Sequence, residues 1–212
     1  MTETKEHIPA YQRRKADRPV EILQAALEEF HAHGYAGAKP DRIAKRAGVS
    51  RSTLYLYFDN KDALFEAVAE KAMGTFVDEI AESTISFTGT TEELVRQLLE
   101  RFYDMILTTK NSAMMRILIA EGPSRPELVR RYHALVIRKG HVALEKIVAR
   151  GIERGEVRKS AATTVPQLLI APALFFLIHK MVFGDLEELE VESYLTAHLD
   201  MLFNGIGVKM RA

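Results

Sequence analysis

The chain has 212 residues with 47% hydrophobic content, enough to bury a sizeable core in one or two domains. It carries no cysteine, which excludes disulfides and thiolate metal sites and fits a reducing, cytoplasmic setting. With 29 basic and 29 acidic residues, net charge names no partner, so the placement of charge has to.

Residues 1–17 have no apolar signal-peptide core and include Arg13-Arg14-Lys15. They read as a flexible basic arm, either a solvated tail or a segment that touches nucleic acid. The next informative stretch is Ile43 to Phe58, two short helical patterns hinged on Gly48-Val49-Ser50. Ile43, Ala44 and Ala47 give the first helix a small apolar face, and Gly48 suits the left-handed conformation that ends it. Ser50 is placed to N-cap the second helix. There Leu54 and Phe58 face inward, leaving Arg51, Ser52, Thr53, Tyr55 and Tyr57 to face out. Arg can pair with guanine, while Ser, Thr and Tyr hydroxyls can reach bases or phosphates. A surface hairpin with a polar face would give the same pattern. Charge favours nucleic acid: residues 39–61 hold 6 Lys/Arg against 2 Asp/Glu, and residues 62–212 hold 18 against 21.

These residues carry a resemblance. A first helix ending Phe30-x-x-x-Gly34-Tyr35 is followed by Ile43-Ala44-x-x-Ala47-Gly48-Val49-Ser50, and then by Thr53-Leu54-Tyr55-x-Tyr57-Phe58-x-x-Lys61-x-x-Leu64. This resembles the N-terminal domain of the TetR family of bacterial transcriptional regulators, over about Arg18 to Val68. The resemblance implies an all-α protein: a three-helix, helix-turn-helix DNA-binding domain (18–61), then a helical ligand-binding and dimerisation domain (62–212). It implies that Ser50, Arg51, Ser52, Thr53, Tyr55 and Tyr57 enter the major groove and that Lys61 holds a phosphate. Ala38 and Pro40 depart from the family pattern, and Lys39 is expected to replace a lost hydroxyl contact with a charge.

Beyond the head, periodicity is helical throughout. One helix is expected from Asn60 or Lys61 to near Ala81, with Ser83-Thr84 as loop. Thr91 opens another to about Thr108, Asn111-Ser112 caps a short one, and Gly122-Pro123 ends it. A further helix is expected from Pro126 to about Arg150, with Gly151 to Lys159 turning the chain. Pro166 to Phe183 is nearly apolar; Pro172 and Lys180 inside it argue against a membrane span. Val191, Tyr194, Leu195, His198, Leu199, Leu202 and Phe203 then form one apolar stripe. The resemblance implies that these last two helices build a homodimer, assigning Pro172, Phe176, His179, Phe183, His198 and Leu202 to its interface. Two-fold symmetry then implies a palindromic double-stranded DNA operator.

The family inference also includes a cavity for a small, largely apolar effector, lined by Phe102, Met105, Met114, Met115, Leu118, Phe175 and Ile178. Tyr103, Arg116, Tyr132 and His179 are the polar groups that could orient it. No Gly-x-Ser-x-Gly, His-Glu-x-x-His or phosphate-binding glycine loop is present, so catalysis, cofactor and metal are not expected. The function read from the chain is a repressor released from its operator by the effector. The alternative is a helical ligand-binding or interaction protein without operator binding.

Overall fold

A computed structural model describes residues 10–108, 112–184 and 186–205. Among them every regular element is helical. The head is built from α1 (Ala10–Gly37), α2 (Pro40–Arg46) and α3 (Arg51–Tyr57). Helix α1 is already formed at Ala10, inside the segment expected to be a flexible arm; residues 1–9 of that arm lie outside the described residues. Gly34, at φ 66° and ψ −178°, kinks the end of α1 in a conformation that side chains resist, and the next residue, Tyr35, is buried. Pro40 starts α2 at a position whose N–H would be unpaired anyway. Gly48 takes φ 66° in the turn, and Ser50 caps α3 by accepting the Thr53 N–H at 3.0 Å.

Helix α4 (Lys61–Ala69) is capped by Asn60, whose side chain accepts the Ala63 N–H at 2.8 Å. A wide π-turn, Glu70–Gly74, then carries it into α5 (Thr75–Ser86). The helix thus runs past Ala81, where it was expected to end. Thr84 Oγ1 donates to the Ile80 carbonyl at 2.7 Å and Ser86 Oγ to that of Glu82 at 3.3 Å, so these hydroxyls are satisfied without leaving the helix.

Helix α6 (Thr91–Thr108) opens on a reciprocal cap: the Thr90 N–H donates to Glu93 Oε2 at 2.8 Å and the Glu93 N–H to Thr90 Oγ1 at 3.2 Å. Helices α7 (Ser112–Glu121) and α8 (Pro126–Tyr132) follow, and a second π-turn, His133–Ile137, leads into α9 (Arg138–Glu153). The apolar stretch from Pro166 is two pieces, a 3₁₀ turn over Pro166–Leu169 and α10 (Ala171–Phe183). Pro172 sits in the first turn of α10 rather than in mid-helix, so it breaks nothing. Helix α11 (Val191–Gly205) completes the described chain.

Two apolar cores result. The first joins Ile22, Phe30, Ile43 and Leu54 of the head to Leu64, Phe65 and Val68 of α4, and continues into Met114 and Ile117 of α7 and Leu128 and Tyr132 of α8. It therefore crosses the boundary drawn at residue 61. The second joins α6, α9, α10 and α11 through Leu99, Tyr103, Ile147, Phe176, Leu199 and Leu202.

Candidate nucleic-acid interface and body cavity

The outward face of α3 is set by what its inward face must do. Leu54 is buried in the head core, and Tyr55, Tyr57 and Phe58 pack against its edge. Arg51, Ser52 and Leu56 are left exposed, with Leu56 at 82%. The two tyrosines are thus half-buried braces rather than fully outward groups. Thr53 is half-buried as well; its hydroxyl lies 2.8 Å from that of Ser50, itself 2.8 Å from that of Ser52, so three hydroxyls share one capping network. Arg51 donates to Asp41 Oδ2 at 3.2 Å and lies over the Tyr55 ring at 5.6 Å. Its exposed guanidinium is held above its usual pKa, first by Tyr55 and then by Asp41. The sequence reading missed Leu56 because it placed apolar residues inward; its position four residues after Ser52 was the available signal.

The remaining cations divide into two groups. Arg42 donates to Glu29 Oε1 at 2.5 Å and to the Gly37 carbonyl at 2.7 Å, while Arg46 pairs with Glu28 at 2.8 Å. Lys61 is held within the protein. Its Nζ donates to the Tyr35 carbonyl at 2.8 Å, lies 3.4 Å from those of Ala36 and Ala38, and sits 4.5 Å from the Tyr35 ring centroid. Burial, reinforced by nearby Arg125, lowers its pKa. In this arrangement Lys61 closes the end of α1. Lys39 and Lys45 are exposed and make no ion pair among the described residues. With Arg51 they form the available positive surface of the head.

A junction ties this head to the body. The Ala36 N–H donates to Glu121 Oε1 at 2.9 Å, and Glu121 Oε2 takes Arg125 Nε at 3.2 Å. Arg125 lies 5.0 Å from the Tyr35 ring centroid, and the Tyr35 hydroxyl donates to Asp62. Further along, Arg131 pairs with Glu66, and Lys139 pairs with Glu70 at 3.0 Å. Lys139 also lies 3.6 Å from Asp78 of α5, so α4, the π-turn and α5 are each tied to the α8–α9 helix.

Within the body lies a cavity of about 310 Å³, walled by α5 through α10. Phe102 and Met115 line it. Met114 is instead buried in the head-side core with Leu118 packed against that core, and Met105 packs against the second core. Phe175 and Ile178 are 58% and 43% exposed on the far side of α10. Their places on the wall are taken by Phe76 and Ile80 of α5, Leu144 of α9 and Leu174 and Leu177 of α10. Of the proposed polar groups only Tyr132 reaches the wall, joined by Ser112, His141 and Gln167. Tyr103 is buried with its hydroxyl 3.4 Å from His198 Nδ1, Arg116 is exposed, and His179 faces Glu187 at 3.4 Å.

Helix α10 leaves Phe175, Ile178, Val182 and Phe183 exposed, beside Leu186 and with Met201 on α11. Of the residues assigned to the interface, Phe183 is exposed and Pro172 and His179 are half-buried. Phe176, His198 and Leu202 are 1%, 3% and 4% exposed and fill the chain's own core, because the stripe of α11 is used up against α6 and α10. Burial pushes His198 down to about 4, leaving it neutral. The ring centroids of His133, in the second π-turn, and His141 of α9 lie 6.5 Å apart. Among the described residues no three His, Asp or Glu side chains converge as a metal site, and no helix is long and apolar enough to cross a membrane.

Comparison with known proteins places these features in context. Residues 22–68 match the family described as bacterial regulatory proteins, tetR family, and residues 86–188 match the tetracyclin repressor-like C-terminal domain. The chain is 25% identical over 195 residues to the fatty acid metabolism regulator protein of Bacillus subtilis, covering 92% of this chain and 98% of that protein. It is similar in fold to the transcriptional regulator FadR from Bacillus subtilis in complex with stearoyl-CoA, with a TM-score of 0.76, 21% identity, and 88% and 98% of the two chains covered. It also resembles SmeT, the repressor of the Stenotrophomonas maltophilia multidrug efflux pump SmeDEF, in its complex with triclosan, with a TM-score of 0.74, 22% identity, and 92% and 94% covered.

Proposed function

The chain belongs to the TetR family of bacterial transcriptional regulators, and from that premise we propose a homodimeric repressor that a largely apolar effector releases from a palindromic operator. DNA-binding regulation of transcription is the family's activity. The observation that carries the specific reading is the outward face of the head, where Arg51, Ser52 and Leu56 stand exposed on α3 and Lys39 and Lys45, exposed at the two ends of α2, make no ion pair among the described residues. Arg51 is assigned to a base edge, Lys39 and Lys45 to phosphates, and the Tyr55 and Tyr57 hydroxyls to the groove margin. Repression follows where the operator overlaps a promoter, in a cytoplasmic setting.

The dimer reading rests on Phe175, Ile178, Val182 and Phe183, an apolar strip that a folded monomer leaves in water. A second copy of the same two helices would cover it and set two α3 helices about one DNA turn, roughly 34 to 36 Å, apart. The effector reading rests on the cavity and on two proteins of similar fold, one solved with stearoyl-CoA and one with triclosan. Mechanistically, an effector that favours one packing of the α4–α5 helix against α8–α9 would alter the spacing of the two heads. A 100-fold loss of operator affinity needs only about 2.7 kcal/mol of such coupling.

The test is recovery of genomic fragments bound by the full chain, followed by footprinting. Enriched fragments are expected to share an inverted repeat whose half-sites lie about one turn apart. Recovery with no enrichment over input DNA would overturn the operator reading.

A further inference from the structure

Among the described residues the cavity wall holds no Lys, Arg, Asp or Glu. Its hydrogen-bonding side chains are Ser112, Tyr132, His141 and Gln167, and none of them makes a side-chain hydrogen bond among the described residues. Tyr132 is the informative one. It is 5% exposed, and burial pushes its hydroxyl up to about 12, so the group remains a protonated donor. The hydroxyl has no hydrogen-bond partner among the described residues and is not one of the atoms sealed away from solvent, so it stands open to water or to a ligand in the cavity. Tyr132 also belongs to the core that α4, α7 and α8 share with the head, so it is a member of that core as well as of the cavity wall.

Charge and size narrow the occupant. A carboxylate or phosphate drawn inside would give up its hydration without meeting a fixed cation, a cost that excludes ionised groups from the wall. A cavity of 150 Å³ accommodates benzene, so this one, at about 310 Å³, takes about a dozen carbon atoms.

We propose that the cavity binds an apolar ligand of about a dozen carbons bearing one uncharged hydrogen-bond acceptor, such as an acyl ester carbonyl, which takes the hydrogen bond of the Tyr132 hydroxyl. This deepens the effector reading above and rests on it. Any charged part of a natural ligand stays outside the cavity, and a chain as long as an octadecanoyl group overfills it.

Calorimetric titration of the full chain with ethyl decanoate, decanoate, dodecane and ethyl octadecanoate tests the assignment. Ethyl decanoate is expected to bind at least 10-fold more tightly than decanoate or ethyl octadecanoate. Tyr132→Phe should weaken ethyl decanoate about 3- to 10-fold, leave dodecane unchanged, and leave the ligand-free melting temperature as high as wild type, since the hydroxyl it removes is unpartnered. Met115→Trp, which fills the cavity, should abolish both. Equal binding of decanoate and its ester, or equal loss of ester and dodecane in Tyr132→Phe, would overturn the proposal; so would ester binding that survives in Met115→Trp. Operator affinity measured in parallel separates the two readings. Tyr132-dependent ester binding that leaves operator affinity unchanged upholds this site and contradicts its effector role. Operator release by decanoate through the same cavity does the reverse.

Discussion

Arg51 and Lys61 carry the same charge ten residues apart and have opposite surroundings: one is exposed beside Asp41, the other is folded under the end of α1 against three carbonyls. Their substitutions should therefore separate cleanly. Arg51→Ala is expected to cost about 1 to 3 kcal/mol at the operator and relax preference at one position per half-site. Lys45→Ala should weaken all sequences and reduce the salt slope by about one per subunit, whereas Lys61→Ala should leave that slope unchanged and lower the melting temperature, at about 1.5 to 3 kcal/mol for a charged hydrogen bond lost. Affinity measured on operator and random DNA across a salt series checks all three. Leu56 makes a different prediction, because an exposed leucine in a major groove suits a thymine methyl group. Replacing each operator thymine by uracil should find one per half-site whose loss weakens wild type but not Leu56→Ala. The outward place of Arg51 was legible from helical spacing. The place of Lys61 was not, because spacing shows which side of α4 it occupies but not that the carbonyls ending α1 lie across from it.

At the scale of elements, caps were readable and turns of unusual width were not. Ser50 and Asn60 cap where their side chains can reach a free N–H, a relation local enough to see in sequence. The π-turns at Glu70–Gly74 and His133–Ile137 each widen a helix by about one residue and rotate the stretch that follows, and residues of α5 and α9 beyond them line the cavity. Another tie hidden from local reading lies at the base of the body. Glu156 Oε2 accepts the N–H and hydroxyl of Thr91 at 2.7 and 2.5 Å, and Arg150 donates to the Phe87 and Gly89 carbonyls at 3.1 and 2.6 Å. The Thr91 hydrogen bonds are the first cause that holds Glu156 down at about 2, against a side-chain value of 4.5 when free. A depressed carboxylate stabilises the fold above its unfolded pKa and loses that contribution as pH falls through the folded value. Glu156→Gln should therefore melt below wild type at pH 7, and the gap should narrow as pH drops below about 4.5 towards 2; a gap constant with pH would contradict the charged clamp.

For the whole molecule, two neighbouring residues on α10 report different things. Phe175 faces out and Phe176 is buried in the chain's own core. Phe175→Glu or Val182→Glu is expected to give a folded monomer by sedimentation that binds the operator poorly, while Phe176→Glu should destabilise the fold itself by several kcal/mol. The apolar character of α10 was plain in the sequence, but the division of its faces depends on which side α6 and α11 take, a tertiary fact. The central claim is that cavity and DNA face are two sites of one equilibrium. Its most direct test takes a compound that raises the melting temperature, and measures its affinity with and without saturating operator alongside operator affinity with and without saturating compound. Linkage predicts that each weakens the other by the same factor, on the order of 100-fold for about 2.7 kcal/mol of coupling. A compound that fills the cavity, stabilises the protein and leaves operator affinity unchanged would contradict the account.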